Sequence, residues 1–172
     1  IYQTSTYAQT TPGGHKGYEY SRSANPTRTA LENSLASIEG GTHGMAFGSG
    51  LAAIDAVIKL LQPGDEVIST NDLYGGSYRI FKRIFEKFGI VFHFVGMQGA
   101  NAVQEKINSK TKLIWVETPT NPMMNIIDIK AIASLTIDKD ILLAVDNTFA
   151  TPYLQKPLEL GADIVMHSAT KY

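Results

Sequence analysis

The chain has 172 residues, 44% of them hydrophobic and 18% charged, which suits one soluble domain with a sizeable core. Its 15 Lys and Arg against 16 Asp and Glu give a formal charge of −1, so a nucleic-acid partner is not expected, because phosphate-backbone affinity needs a basic excess. There is no cysteine, hence no disulfide framework or thiolate chemistry, and no apolar run reaches the length of a membrane span.

Residues 1–24 read as an irregular arm rich in Thr, Ser, Gly and Tyr. Asn25-Pro26 then predicts a helix start, with Asn as N-cap and Pro at the first helical position. Leu31, Leu35 and Ile38 continue at helical spacing to Gly40-Gly41. Gly48-Ser49-Gly50 opens a second helix carrying Leu51, Ile54, Val57, Ile58 and Leu61, closed by Pro63-Gly64. From there strands and helices alternate. Strands are predicted at 66–69, 90–95, 113–116, 141–145 and 164–166, with helices at 78–88, around Val103 and Ile107, at 129–135 and at 154–160. Near-continuous apolar strands separated by helices imply an α/β fold, a mostly parallel sheet with helices on both faces. The chain opens on Ile1, without an initiator Met, in patterned sequence, and stops at Tyr172 just after a strand-like run. A fragment of a longer chain is therefore expected.

Ligands of such sheets bind beyond the carboxyl ends of the strands. The residues to examine are therefore 69–74, 117–121, 146–148 and 168–171. Gly48-Ser49-Gly50-Leu51 leaves backbone N–H groups free at a helix start, where the helix dipole favours an anion. It reads as a phosphate cradle made by Ser49, Gly50 and Leu51, or as a plain turn into a helix. Asp146 follows the apolar run 141–145, and a carboxylate there is costly unless paired. It is either a loop or cap carboxylate or the partner of a protonated heterocyclic nitrogen. Lys171, beyond the last strand, is either a solvated surface residue or, on an active-site rim, an amine able to form a Schiff base with an aldehyde. Tyr74 is a core or surface ring, or one stacked on a planar cofactor. Pyridoxal phosphate needs a lysine, an acidic partner for its ring nitrogen and a phosphate cradle, and the chain supplies all three. A rival reading exists. Gly48 to Ala53 also matches the dinucleotide pattern G-x-G-x-x-A, with Asp72 downstream as its acidic residue, which suggests an oxidoreductase domain. His15, His43, His93 and His167 show no metal-ligand pairing, and no metal is expected.

Six runs taken in order resemble the Cys/Met-metabolism family of pyridoxal-phosphate enzymes, and the resemblance covers essentially the whole chain. They are Tyr18 to Arg28 (YEYSRSANPTR), Gly48 to Ala53 (GSGLAA), Asp72 to Ser77 (DLYGGS), Glu117 to Pro122 (ETPTNP), Val145 to Phe149 (VDNTF) and His167 to Tyr172 (HSATKY). The resemblance implies a fold-type I, transferase-like large domain over 25–172, preceded by an arm, 1–24, that reaches the neighbouring subunit's site. Lys171 would hold the cofactor as an imine and shuttle protons, and Asp146 would pair with the ring nitrogen. Tyr74 would stack on the ring and assist proton transfer. The Gly50 and Leu51 amides with the Ser168 and Thr170 hydroxyls would bind the phosphate. Tyr20 and Arg22 would reach the phosphate in the neighbouring subunit, and Asn121 would lie near the ring hydroxyl.

The resemblance further implies a cytoplasmic homotetramer built from active dimers, acting on a small amino-acid substrate, with no membrane partner. The family includes cystathionine γ-synthase, cystathionine γ- and β-lyases, methionine γ-lyase and homoserine sulfhydrylases. Glu19-Tyr20-Ser21-Arg22 looks most like the cystathionine γ-lyase and γ-synthase branch, and Tyr74-Gly75-Gly76 lacks the cysteine typical of methionine γ-lyases. Elimination by a γ-lyase is expected ahead of replacement by a synthase. Family members often carry Ser-Gly-Met where this chain has Ser49-Gly50-Leu51, a change that backbone binding tolerates. Members are also much longer. The part not represented resembles the end of the large domain and a C-terminal domain that supplies an arginine for the substrate carboxylate, so this fragment alone is expected to be inactive.

Overall fold

A computed structural model describes residues 1–172. They form two compact units, Ile1–Ala46 and Phe47–Tyr172. No helix is long and apolar enough to cross a membrane.

In the first unit the arm is less irregular than its composition predicts. Gln9–Thr11 (β1) and Gly14–His15 (β2) pair as a small antiparallel hairpin, and Thr6 bridges Tyr20. The predicted helix follows as α1, Pro26–Glu39. Asn25 is its N-cap, accepting from the Thr27 N–H at 2.9 Å, and Gly40 ends it in the left-handed region at φ 71°. Asn25 also donates to Tyr2 O and Ser21 Oγ, while Tyr2 N–H donates to Thr27 Oγ1. These bonds tie the arm to the helix, which is why 1–24 and α1 share one unit. Glu32 accepts from the Ala46 N–H at 2.8 Å and from Arg28 Nε at 2.9 Å, and these bonds hold its carboxyl below the usual range. The predicted apolar stripe of α1 is not a core face in this chain, since Leu31 and Ile38 are about half exposed.

The second unit is a five-stranded, wholly parallel sheet. Ser49 caps α2, Gly50–Ile58, by accepting from the Ala52 N–H. Then come β3 (Glu66–Thr70), α3 (Gly75–Arg83), a short 3-10 turn at Phe85–Phe88, and β4 (Val91–Val95). They are followed by α4 (Asn101–Gln104), β5 (Thr111–Glu117), α5 (Ile129–Ala133) and β6 (Leu142–Asp146). The chain ends with α6 (Thr151–Leu154), a 3-10 turn at Pro157–Leu160, β7 (Ile164–Met166) and a last 3-10 turn at Ala169–Lys171. The sheet order is β4-β3-β5-β6-β7.

Two predicted helices are thus split. The 78–88 segment starts earlier, at Gly75, and tightens to 3-10 before Gly89. The 154–160 segment breaks where Gln155 turns extended, at φ −152° and ψ 135°, ahead of Pro157.

Alternation along the strands makes two cores, one per face. Val67, Leu113, Trp115, Ala144 and Met166 face Ile54 and Ile58 of α2 and Phe81 of α3. Ile68, Ile114, Val116, Leu143 and Val145 face Val103, Ile129 and Ile132 of α4 and α5. Phe81 is the pivot of the first core, stacked on Phe92 with centroids 4.7 Å apart and meeting Trp115 edge-on. Each fully buried aliphatic or aromatic side chain here contributes about 1.5–3 kcal/mol.

Candidate active site

At the carboxyl ends of β5, β6 and β7 lies a cavity of about 240 Å³. The same alternation that sends Leu113 and Trp115 to the α2 face places Glu117 there. It likewise places Asp146 with Ala144, in register beside Glu117. Both carboxyls are buried, and both line the cavity.

Asp146 is held by its own loop. The Thr148 N–H and hydroxyl both donate to Asp146 Oδ1, at 3.0 and 2.5 Å, and the Ser168 N–H donates to Thr148 Oγ1 at 2.9 Å. This relay joins the end of β6 to the end of β7 and leaves Oδ2 for another donor. Burial pushes the Asp146 carboxyl up from its ordinary value, while the Thr148 bonds and nearby His167 pull it back.

The start of α2 forms the opposite wall, with Ser49, Gly50 and Leu51 all lining the cavity. The Ser49 side chain and carbonyl accept from the Ala52 and Ala53 N–H groups, so those of Gly50 and Leu51 keep no partner within the helix. Gly50 lets α2 approach β7 closely. A Cβ there would lie 3.0 Å from both Cβ and Oγ of Ser168 and 3.3 Å from Met166 Cε. Ser168, Thr170 and Lys171 line the rim after β7, with Lys171 exposed in the final 3-10 turn. Tyr74 and Asn121, from the loops after β3 and β5, complete the set that the sequence singles out around this cavity. Tyr20 and Arg22 belong to the first unit, where the Arg22 guanidinium sits 5.0 Å from the Tyr20 ring centroid.

Two residues of the strand-end stretches marked in the sequence were given no role of their own there. Thr148 orients Asp146, and an Asp-x-Thr run after a buried strand is the signal that could have found it. Glu117 accepts the Tyr74 N–H at Oε2, 2.8 Å away, and its carboxyl is pushed up to about 8, mainly by burial and further by Asp146 and Asp72. Its strand-end position marks it for attention, but nothing in the local sequence shows its bond to Tyr74.

The dinucleotide alternative fails on topology. The glycine turn follows no strand, α2 precedes the first strand of the parallel sheet, and the Asp72 carboxylate is engaged by Thr120, Asn125 and the Met123 N–H.

The family described as Cys/Met metabolism PLP-dependent enzyme matches residues 1–172. Among relatives, a cystathionine β-lyase of Coxiella burnetii is 54% identical over the whole chain, and a cystathionine γ-lyase of Bacillus subtilis is 52% identical. Two solved structures superpose closely, each at 49% identity and covering 99% of the chain. They are metB from Corynebacterium glutamicum (TM-score 0.96, 45% of that chain) and cystathionine γ-lyase from Lactobacillus plantarum complexed with L-serine (TM-score 0.94, 44% of that chain). The chain therefore belongs to the Cys/Met-metabolism family of pyridoxal-phosphate-dependent enzymes. It spans about 45% of the length of these two curated relatives.

The residues present fit that cofactor. Asp146 is a buried carboxyl whose desolvation a bound cation would relieve, Gly50 opens an amide cradle against Ser168, and the Lys171 ammonium makes no hydrogen bond or ion pair.

Proposed function

We propose that this cavity holds pyridoxal phosphate and that the parent protein is a transsulfuration enzyme acting on sulfur amino acids, γ-elimination from cystathionine being the favoured reaction. The observation that carries the reading is the meeting of Asp146, Lys171 and the Gly50 cradle around one cavity. When bound, pyridoxal phosphate supplies a protonated ring that draws electrons from the α-carbon of an attached amino acid. Asp146 Oδ2 holds the proton on the ring nitrogen, with Thr148 fixing the carboxylate through Oδ1. Lys171 Nζ would hold the cofactor's aldehyde and would take the α-proton of the substrate and move it along the substrate. The Gly50 and Leu51 N–H groups with the Ser168 and Thr170 hydroxyls bind the phosphate. Tyr74 would cover one ring face, exclude water and assist proton transfer, and Asn121 would lie near the ring hydroxyl.

Tyr20 and Arg22 are proposed to reach the phosphate of a neighbouring subunit in a cytoplasmic homotetramer built from dimers. The Glu19-Tyr20-Ser21-Arg22 run supports the cystathionine γ-lyase and γ-synthase branch without separating the two. Relatives named cystathionine β-lyase, γ-lyase and probable γ-synthase all lie at 51–54% identity, so the reaction is decided by assay.

The test uses the full-length protein loaded with pyridoxal phosphate. Borohydride should bleach its visible band and fix the label on the Lys171 peptide, and Lys171→Ala should lose both. Cystathionine should yield cysteine and 2-oxobutanoate. Homocysteine and pyruvate would mark β-cleavage instead, and cystathionine formation from an activated homoserine and cysteine would mark the synthase. A protein that bound a nicotinamide cofactor and showed no borohydride-sensitive band would overturn the reading.

A further inference from the structure

Glu117 has no part in the roles above, yet its carboxyl is buried in the cavity alongside Asp146, with 5% of its surface exposed. Its Oε2 reaches across 43 positions of sequence to the Tyr74 N–H, at 2.8 Å. Tyr74 itself sits at a junction. Leu73, just before it, is buried in the core beneath α2 and α3, while the Tyr74 ring lies 43% exposed at the cavity wall. Gly76 makes room for that ring, since a Cβ at Gly76 would come within 2.2 Å of Tyr74 Cε1 and 2.8 Å of Cζ. Tyr74 also precedes α3 without a side-chain cap, so no local hydrogen bond from its own side chain fixes this turn.

We propose that Glu117 is the positioning residue for Tyr74, gripping the backbone at the one point from which the ring swings and so setting the ring against the cofactor. The inference rests on the reading that pyridoxal phosphate occupies the cavity. Chemistry supports a neutral gripper. Glu117 stands in register beside Asp146, with Asp72 also near, and burial with these two carboxyls raises its proton affinity. A protonated Glu117 still accepts through Oε2 and adds no second negative charge beside Asp146. Gln is therefore its functional equivalent, whereas a side chain without an acceptor strands the Tyr74 N–H.

The test is a double-mutant cycle on the full-length protein, read as the equilibrium dissociation constant for pyridoxal phosphate, titrated into the apoprotein by absorbance. Glu117→Ala should weaken binding about tenfold when Tyr74 is present, the worth of one neutral hydrogen bond. In a Tyr74→Ala background the same change should cost less than about twofold, because no ring remains to be placed. Glu117→Gln should stay within about twofold of wild type. If Glu117→Ala does not fold, Glu117→Met, which keeps the bulk and lacks the acceptor, carries the same comparison. An equal penalty in both backgrounds would show that Glu117 acts without Tyr74, and a Gln variant as weak as Ala would show that a carboxyl is required; either result overturns the proposal. Wild-type protein that binds no pyridoxal phosphate overturns the reading of the cavity instead.

Discussion

Replacing Glu117 with Gln should remove a pH dependence of stability that the wild-type protein carries. The Glu117 carboxyl is pushed up to about 8 from an ordinary 4.5, burial being the first cause. Between those values the folded chain holds a proton that the unfolded chain has lost, so raising the pH favours unfolding. The effect is absent below the ordinary value, grows across the interval and is complete above about 8. The gap between the two values converts to at most about 5 kcal/mol. Asp146 is also pushed up, so it adds a loss of the same sign that begins at lower pH. That contribution stays in both proteins, and the difference between them isolates Glu117. Urea unfolding of the full-length apoprotein from pH 4.5 to 8.5 measures it. Wild type should lose several kcal/mol more than Glu117→Gln over this range. Parallel curves for the two proteins would refute the reasoning, because they would mean that Glu117 titrates alike folded and unfolded.

Gly50→Ala should weaken pyridoxal phosphate binding by about tenfold or more, since the added Cβ, 3.0 Å from the Ser168 Cβ and Oγ, pushes the cradle away from the rim after β7. Titration of the apoprotein measures this, and affinity equal to wild type would exclude the cradle. Thr148→Val removes a donor to Asp146 Oδ1 and the acceptor for the Ser168 N–H. It should cost about 1–3 kcal/mol in urea unfolding, and Thr148→Ser should recover most of that.

The fold was legible wherever local chemistry and long-range packing ask for the same thing. Asn25-Pro26 caps and starts α1 as its residue types predict, because the cap bond to Thr27 is local. The five strands of the main sheet were visible as apolar runs because the sheet carries a core on each face, with the central strands β3, β5 and β6 contributing to both. The errors have tertiary causes. Gly75-Gly76 is a weak helix start by propensity, yet α3 begins there because the Tyr74 ring needs the space above Gly76. Gln155 leaves the helical region, and its side chain instead donates to Thr118 O and Asn147 Oδ1. At the site, Asp146, Lys171 and the glycine turn could be singled out because each sits at an element end. Glu117 also ends a strand and lies in a marked stretch, but its role was not legible, since its burial and its bond to Tyr74 depend on contacts between segments far apart in sequence.

The strand order explains why Glu117 falls where it does. After β3 the chain moves outward to β4, and after β5 it moves the other way, to β6. The loops leaving β3 and β5 therefore diverge, and α3 and α5, the helices that follow those strands, cover opposite faces of the sheet. Such a switch point opens a crevice above the carboxyl ends of the two strands. A crevice between diverging loops shapes a ligand only if the loops are held to one another. Two carboxyls supply that connection here. Asp72, after β3, takes hydrogen bonds from Thr120, Met123 and Asn125 in the loop after β5. Glu117, at the end of β5, takes one from Tyr74 in the loop after β3. The two sets run in opposite directions across the same gap, so neither loop can shift without breaking a bond to the other. Asp72 sits toward the outside and only partly buried, where a charged acceptor is tolerated. Glu117 sits beside Asp146, where a second charge would oppose the first, and its raised proton affinity follows from that position. The topology thus accounts both for the existence of the clasp and for the raised proton affinity of its inner member.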